Sequence, residues 1–400
     1  MRMFRAAIPA AALIVATMTA GAAQALPEAA ARTGVAQTDS SADRAATTYA
    51  SLLEHFTVHD GTQLVREQSP AEPGDNAYSY EWPYSQVHVA ALDLTGLPGQ
   101  RGNRYAAELR TREAGQERYW NAAGGSTGLP GYASGVMPPY GQGGDFFYDD
   151  NEWVGLADMQ KYLASEATTA LDRAKQIFNL VVSGWDTNPG HANPGGVFWT
   201  QASWSTDRNT VSNMPGAELG LRLYQATHQQ YYLDWSTKMY DWTNRYLQRP
   251  DGLYWDHMSL QGTIDQTIWS YNQGVPVGVN MLLYQATGDR KYLKEATRVA
   301  DAAYRFYVTG GRLDTQPPYF NSIFFKNLLL LESVTGGDRY RQAMKDYGNR
   351  MWATHRDAQT GLFRFSSDPA NHHTQVIEQA AMAQIYAVLA WPASRHRILY

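Results

Sequence analysis

Three stretches of the chain align with one another without gaps, and their period leaves few folds open. Thr227, Thr287 and Thr335 mark the register. Leu223, Leu283 and Leu331 lie four residues before them, Leu221, Met281 and Leu329 six before, and Tyr232, Tyr292 and Tyr340 five after. The copies are offset by 60 and 48 residues. Each reads as an apolar helix, a short turn such as Thr287, Gly288, Asp289, and a second helix opening near the Tyr. A fainter copy has Tyr162 and Leu171 where the middle unit has Tyr284 and Leu293, and Leu94, Thr95, Gly96 fit the turn of another. Glycine-aromatic pieces of strand character follow several second helices, at 196–199, 252–255 and 361–364, and suggest short hairpins on one rim. About six helical hairpins of this size use most of the chain, which predicts an all-α fold, an (α/α)6 barrel with short rim strands. The irregular spacing and the glycine-rich insert 184–196 suit loops around a cleft better than an open stack of helix pairs.

Composition then removes whole classes of function. Lys and Arg number 33 against 38 Asp and Glu, a net charge of -5 that supplies no footprint for nucleic acid. The chain has no cysteine, so disulfides, thiolate metal sites and cysteine nucleophiles are excluded. The 44% hydrophobic content is enough for a large core, and 12 Trp with 26 Tyr are what a sugar-binding cleft uses to stack on pyranose faces. Arg2 and Arg5, the small apolar run 6–22 and the small-x-small site Ala23, Gln24, Ala25 read as a secretory signal peptide. The run is shorter than the roughly 20 apolar residues of a membrane span. The expected organisation is a signal peptide at 1–25, a flexible leader at 26–46 and one catalytic domain at 47–400. That implies a secreted, extracellular monomer without a membrane partner after cleavage.

The sharpest local feature is the run Gly143 to Trp153, where Asp149 and Asp150 stand at the entrance of an amphipathic helix. Asp149 as N-cap with Glu152 three residues on would make a capping box. Tyr148 and Trp153 favour a different use, because a glycosidase needs two carboxyls and aromatic walls. Adjacent residues at a helix entrance can place their carboxyls roughly 5 to 6 Å apart, near the spacing of retaining glycosidases. Both readings stand at this level.

The run Tyr148, Asp149, Asp150, Asn151, Glu152, Trp153 resembles the paired-aspartate signature of glycoside hydrolase family 76, the endo-α-1,6-mannanases. Further matches follow in the family's order: Arg208, Asn209 and Asn213; Gly252 to Asp256; Trp269 to Gly274; and Phe325, Lys326. The resemblance covers most of the chain from about Trp82 to Phe365. It implies an (α/α)6 barrel, a retaining mechanism and no cofactor, with Asp149 as nucleophile and Asp150 as general acid/base. The chain departs from the family where Asn327 to Leu331 follow Phe325, Lys326, losing a Gly and an Arg, a change expected to alter the subsites.

The residues expected along the cleft are Trp199, Trp255 and Trp269 for stacking, and Asn209, Asp256 and Asn272 for hydrogen bonds. Tyr148, Asn151, Tyr271 and Lys326 complete the expected substrate-binding set. Capping by Asn272 and a turn role for Asp256 are the structural alternatives, and any single Trp, Trp204 included, can equally be core. His191, His372 and His373 lack metal-ligand spacing, so no metal is expected. The expected partner is α-mannan polysaccharide or oligosaccharide. A transglycosylase with the same site, or a non-catalytic mannan-binding barrel, are the competing functions.

Overall fold

The computed structural model describes residues 40–366, 368 and 371–400. The signal peptide and most of the leader expected from the sequence lie outside the described residues. Thirteen α-helices are present among them, in the order α1 Ser41–Phe56, α2 Glu81–Thr95, α3 Gln100–Asn103, α4 Ala106–Gln116, α5 Tyr148–Ser165, α6 Thr168–Ser183 and α7 Thr210–Thr227. The remainder are α8 Gln230–Tyr246, α9 Tyr271–Thr287, α10 Arg290–Ala303, α11 Pro318–Thr335, α12 Arg339–Thr354 and α13 Val376–Leu389. Apart from the one-turn α3, they alternate between two shells. Helices α2, α5, α7, α9, α11 and α13 pack in a closed ring, each against the next and α13 back against α2. Their side chains are buried on nearly every face, as an inner wall requires, whereas α1, α6, α8, α10 and α12 bury one stripe and expose the other. The fold is an (α/α)6 barrel, and no described helix is long and apolar enough to cross a membrane.

The sequence repeat marks the lower ends of the inner helices. Thr227, Thr287 and Thr335 are the last residues of α7, α9 and α11, and each hydroxyl donates back to the carbonyl of the leucine four before it. The residue after the helix adopts a left-handed conformation at Glu166, His228 and Gly288, so the chain reverses into the outer helix. Only Gly288 takes that conformation without steric cost. The leader ends earlier than expected. Ser40 caps α1 through Asp43, and Ala42 and Ala45 are buried beneath α13. An alanine-rich stretch reads as flexible in sequence, yet alanine is also the best helix former and the easiest residue to pack closely.

At the upper rim the glycine-aromatic pieces form isolated antiparallel bridges, not hairpin strands: Val197 with Trp185 and Phe198 with Arg208, Tyr254 with Gln248, Phe363 with Arg356. Named strands also occur: β1 Gln68–Ser69, β2 Trp120–Asn121, β3 Gly131–Tyr132, β4 Asp207–Asn209, β5 His257–Ser259, β6 Ile264–Asp265 and β7 Thr374–Gln375. Antiparallel β4, β5 and β6 make one small sheet, with Asn209 opposite His257.

The bridge residues Val197, Tyr254 and Phe363, and Tyr132 of β3, are each held by a carboxamide from the first turn of the following inner helix. Asn151 accepts from the Tyr132 N–H at 2.7 Å and donates to the Tyr132 carbonyl at 3.0 Å. Asn213 does the same to Val197, Gln273 to Tyr254 and Gln379 to Phe363. In every case the amide nitrogen also donates to the carbonyl four residues back, at Phe147, Asn209, Trp269 and Gln375.

Replacing Gln379 by leucine leaves the buried Phe363 N–H and C=O unpaired, so Gln379→Leu is expected to lose about 2 to 5 kcal/mol of stability. Denaturant unfolding at unchanged m-value checks this, and a loss below about 0.5 kcal/mol would show that the clamp is dispensable.

Candidate active site

The rim opens at the N-terminal ends of the inner helices, where α5 carries the two aspartates. The Tyr148 N–H is bound by the Trp199 carbonyl at 2.9 Å, and Phe147 is the N-cap residue, with no side-chain cap bond. Asp149 and Asp150 therefore lie inside the first turn, and the capping box expected as one alternative is not formed. Its second member, Glu152, is instead fully buried against Gly216 of α7.

Asp149 accepts from Trp199 Nε1 at 3.2 Å through Oδ2, while its buried Oδ1 has no partner among the described residues. Burial pushes the Asp149 carboxyl up to about 7; the Trp199 bond opposes that rise and the charge of Asp256 adds to it. Asp150 is raised well above the ordinary carboxyl range, by burial first and then by the charges of Asp149 and Glu81.

Asp256 faces this pair from the end of the rim segment before β5. Its Oδ1 accepts from Asn272 Nδ2 at 3.0 Å and its Oδ2 lies 2.9 Å from His257 Nδ1. That bond raises the His257 pKa, with Asp207 contributing from the other ring nitrogen at 3.9 Å. Asn209 points a buried, unpartnered Oδ1 at the same rim. Tyr271 stacks on Phe320 at 3.9 Å and is acted on by Asp256, Asp149 and Asp150.

Two aromatic groups flank the acids. Trp199 meets Phe147 at 5.0 Å and Trp204 at 6.2 Å. Phe320 gathers Tyr271, Trp269 at 5.5 Å and Trp82 at 6.1 Å, with Tyr319 beside Trp82 at 5.3 Å. Among the described residues no group of three or more His, Asp or Glu is placed to hold a metal ion.

The structure thus brings Asp149, Asp150, Trp199, Asn209, Asp256, Trp269, Tyr271 and Asn272 to one rim. It does not bring four other expected residues there. Tyr148 is buried against Gly184, where a Cβ would come within 2.5 Å of its ring. Asn151 is consumed by its clamp on Tyr132. Trp255 lies one residue out of step with Asp256 in an extended segment, and packs on the satellite cluster of Trp242, Leu247 and Met258.

Lys326 lies half-way down α11 with no exposure, 2.9 Å from the equally buried Asp93, whose other oxygen accepts from Gln160. The altered stretch Asn327 to Leu331 continues that buried wall, so the departure from the family pattern concerns barrel packing. Conversely, Glu81, Trp82, Tyr319 and Phe320 were not foreseen. They come from α2 and α11, far in sequence from the aspartates, and only ring closure makes them neighbours.

Two outcomes follow. Lys326→Met strands a buried carboxyl and is expected to cost about 3 to 5 kcal/mol in unfolding experiments, with KM unchanged at permissive temperature. For Asp149 the folded-state value, about 7, exceeds the ordinary 3.8. Between those values the folded state binds more protons than the unfolded chain, and stability falls as pH rises. Asp149→Asn removes this term, so the variant should melt above the wild type at pH 8, with the gap closing toward pH 4. A pH-independent gap would show that Asp149 is not held above its ordinary range.

The family model of glycosyl hydrolase family 76 matches residues 40–390. A mannan endo-1,6-α-mannosidase of Saccharomyces cerevisiae is 26% identical over 193 residues, covering 40% of this chain and 42% of the relative. A putative mannan endo-1,6-α-mannosidase of Schizosaccharomyces pombe is 30% identical over 153 residues, 35% of this chain and 34% of the relative. The chain spans 34 to 42% of the length of these relatives. Among solved structures, a family 76 mannosidase of Bacteroides thetaiotaomicron aligns with a TM-score of 0.75 at 24% identity, over 88% of this chain and 98% of that one. An inactive variant of an α-1,6-mannanase from a Salegentibacter species, in complex with α-1,6-mannotriose, aligns with a TM-score of 0.69 at 19% identity, over 88% and 99%. With the matched region spanning nearly all the described residues, the chain belongs to glycosyl hydrolase family 76.

Proposed function

We propose that this chain is a secreted retaining glycoside hydrolase that cleaves α-1,6-mannosidic linkages within mannan. The observation that carries the reading is the pair of adjacent carboxyls, Asp149 buried and Asp150 half-buried, of which only Asp149 has a side-chain donor among the described residues. Asp149 has the Trp199 N–H to stabilise its charged form, and Asp150 receives no such donor among the described residues. Asp149 ionises first and suits a nucleophile; Asp150 keeps its proton and suits a general acid. In the first step an Asp149 oxygen attacks the anomeric carbon while the Asp150 proton passes to the departing glycosidic oxygen, giving a mannosyl ester. In the second, Asp150 takes a proton from water as that water attacks the same carbon, and the ester bond to Asp149 breaks. Two inversions leave the α anomer.

The substrate assignment is supported by the α-1,6-mannotriose in the Salegentibacter complex, whose inactive variant carries asparagine at two consecutive aspartates. It is also supported by the names of the yeast relatives. A neutral polymer offers no charge to hold, so stacking on Trp199 and on the group around Phe320 supplies affinity, with Asn209, Asp256 and Asn272 offering hydrogen bonds. Secretion rests on the sequence of residues 1–25.

Asp149→Asn and Asp150→Asn are each expected to lower turnover of linear α-1,6-mannan by about a thousandfold or more while the fold is kept. NMR should detect the α anomer in the first-formed oligosaccharide. An initial β anomer, or release of mannose alone from chain ends, would overturn the retaining endo-acting reading.

A further inference from the structure

Glu81 is the first residue of α2, the inner helix next to α5, and its side chain has no exposure. Its backbone N–H donates to the Ser134 carbonyl, and the Ser134 N–H to that of Asp145, which ties it to the loop leading into α5. One carboxyl oxygen accepts from Gln116 Nε2 at 2.5 Å, and the other is buried without a partner among the described residues. The groups that share its electrostatic environment are Asp149 and Asp150 of α5, Tyr119 after α4 and Tyr132 of β3, with Glu67 beside it on the Tyr80 N–H. None of these is a cation. Nothing in the two-aspartate chemistry uses this third acid, yet a buried carboxyl facing two others carries a high cost unless its charge is controlled.

We infer that Glu81 is a positioning residue whose charge keeps the proton on Asp150 when the pH rises. The inference rests on the two-aspartate reading. Burial pushes Glu81 up to about 8 and Asp149 to about 7, and Asp150 is raised well above its ordinary range by burial and by the charges of Asp149 and Glu81. The charge of Asp149 is among the causes that raise Glu81, so the site's first negative charge falls on Asp149, where a nucleophile needs it. When Glu81 ionises at higher pH, its repulsion opposes loss of the Asp150 proton, and the acid survives further into the alkaline range. Gln116 also lines a cavity of about 240 Å³ with His88, Asp158, Lys161 and Arg173. At about 30 Å³ each it has room for several waters, and the unpartnered His88 Nδ1 and Asp158 Oδ2 offer them partners. This gives a carboxyl with no exposure of its own a route for proton exchange.

The test is the pH profile of kcat/KM on linear α-1,6-mannan for Glu81→Gln, together with a ¹³C NMR titration of labelled aspartate carboxyls. The expected result is asymmetric. The alkaline limb and the Asp150 midpoint should move to lower pH by about one unit, while the acidic limb stays, because a neutral Glu81 and a glutamine look alike to Asp149. Gln116→Met, which removes the donor favouring charged Glu81, should move the alkaline limb in the same direction, and it serves if Glu81→Gln does not fold. A uniform rate loss with both limbs and the Asp150 midpoint unmoved would make Glu81 merely structural and overturn the inference. A protein inert on mannan, in which the Asp150 midpoint still moves, would overturn the functional reading and leave the electrostatic role of Glu81 standing.

Discussion

Every inner helix of this barrel begins where the chain arrives from an outer helix, and four of the six begin with the same set of bonds. A carboxamide at the first turn pairs with both polar groups of one bridge or strand residue and with the carbonyl four residues back. The geometry resembles a strand pairing with a side chain in place of a second strand. It meets two demands at once: the extended piece entering the barrel has no neighbouring strand to satisfy it, and the carbonyl at the helix entrance needs a donor. The consequence is positional. Asp149 and Asp150 flank no free loop; they sit two residues and one residue before the clamp of Asn151. Asn209 contributes the carbonyl bound by Asn213, and Asn272 precedes the clamp of Gln273. The side chains of the candidate site are thus placed by backbone that has almost no freedom to shift.

Helix polarity then works against the observed charge state, and the magnitudes decide the outcome. All inner helices present their N-termini to the rim, where the helix dipole favours carboxylate over carboxylic acid by about 0.3 to 2 kcal/mol. The rise of Asp149 from 3.8 to about 7 corresponds to about 4 kcal/mol in the other direction. Desolvation wins because the rim is walled by aromatic rings and its other charges are also acids. A single hydrogen bond from Trp199 then separates two aspartates that are otherwise adjacent and alike.

The repeat was legible in the sequence because the inner helices end alike. The Leu-Thr back-bond and the reversing turn recur at the same register, and any barrel of hairpins must repeat that joint. The aspartate pair was legible because adjacent acids beside aromatics at a helix entrance are rare enough to notice. Asn151 and Lys326 were misplaced for a common reason: sequence shows that a polar residue stands on a helix, but not which buried group it satisfies. Trp255 failed through parity, since one step along an extended segment turns a side chain from cleft to satellite core. Glu81 and Phe320 were invisible because their significance comes from ring closure, which brings α2 and α11 to residues distant in the chain.

Asp93 in the wall and the acids at the rim are neutralised in two different ways. Asp93, deep between α2, α5 and α11, has Lys326 at 2.9 Å and a donor in Gln160. The segment after α13 seals this region: Trp391 Nε1 donates to the Asp93 carbonyl, Arg222 to the carbonyls of Arg397 and Leu399, and Lys326 lies over the Tyr400 ring. A carboxyl paired with a lysine in a sealed wall has neither a proton to give nor a route for giving it. At the rim Glu81, Asp149 and Asp150 face one another with no cation among the described groups acting on them, so their neutral members are neutral because they hold protons. Protons can be transferred and recovered from solvent, whereas a lysine cannot. The rim is therefore the place in this barrel where carboxyls can hold and exchange protons, and the sealed wall around Asp93 is where a carboxyl serves only the fold.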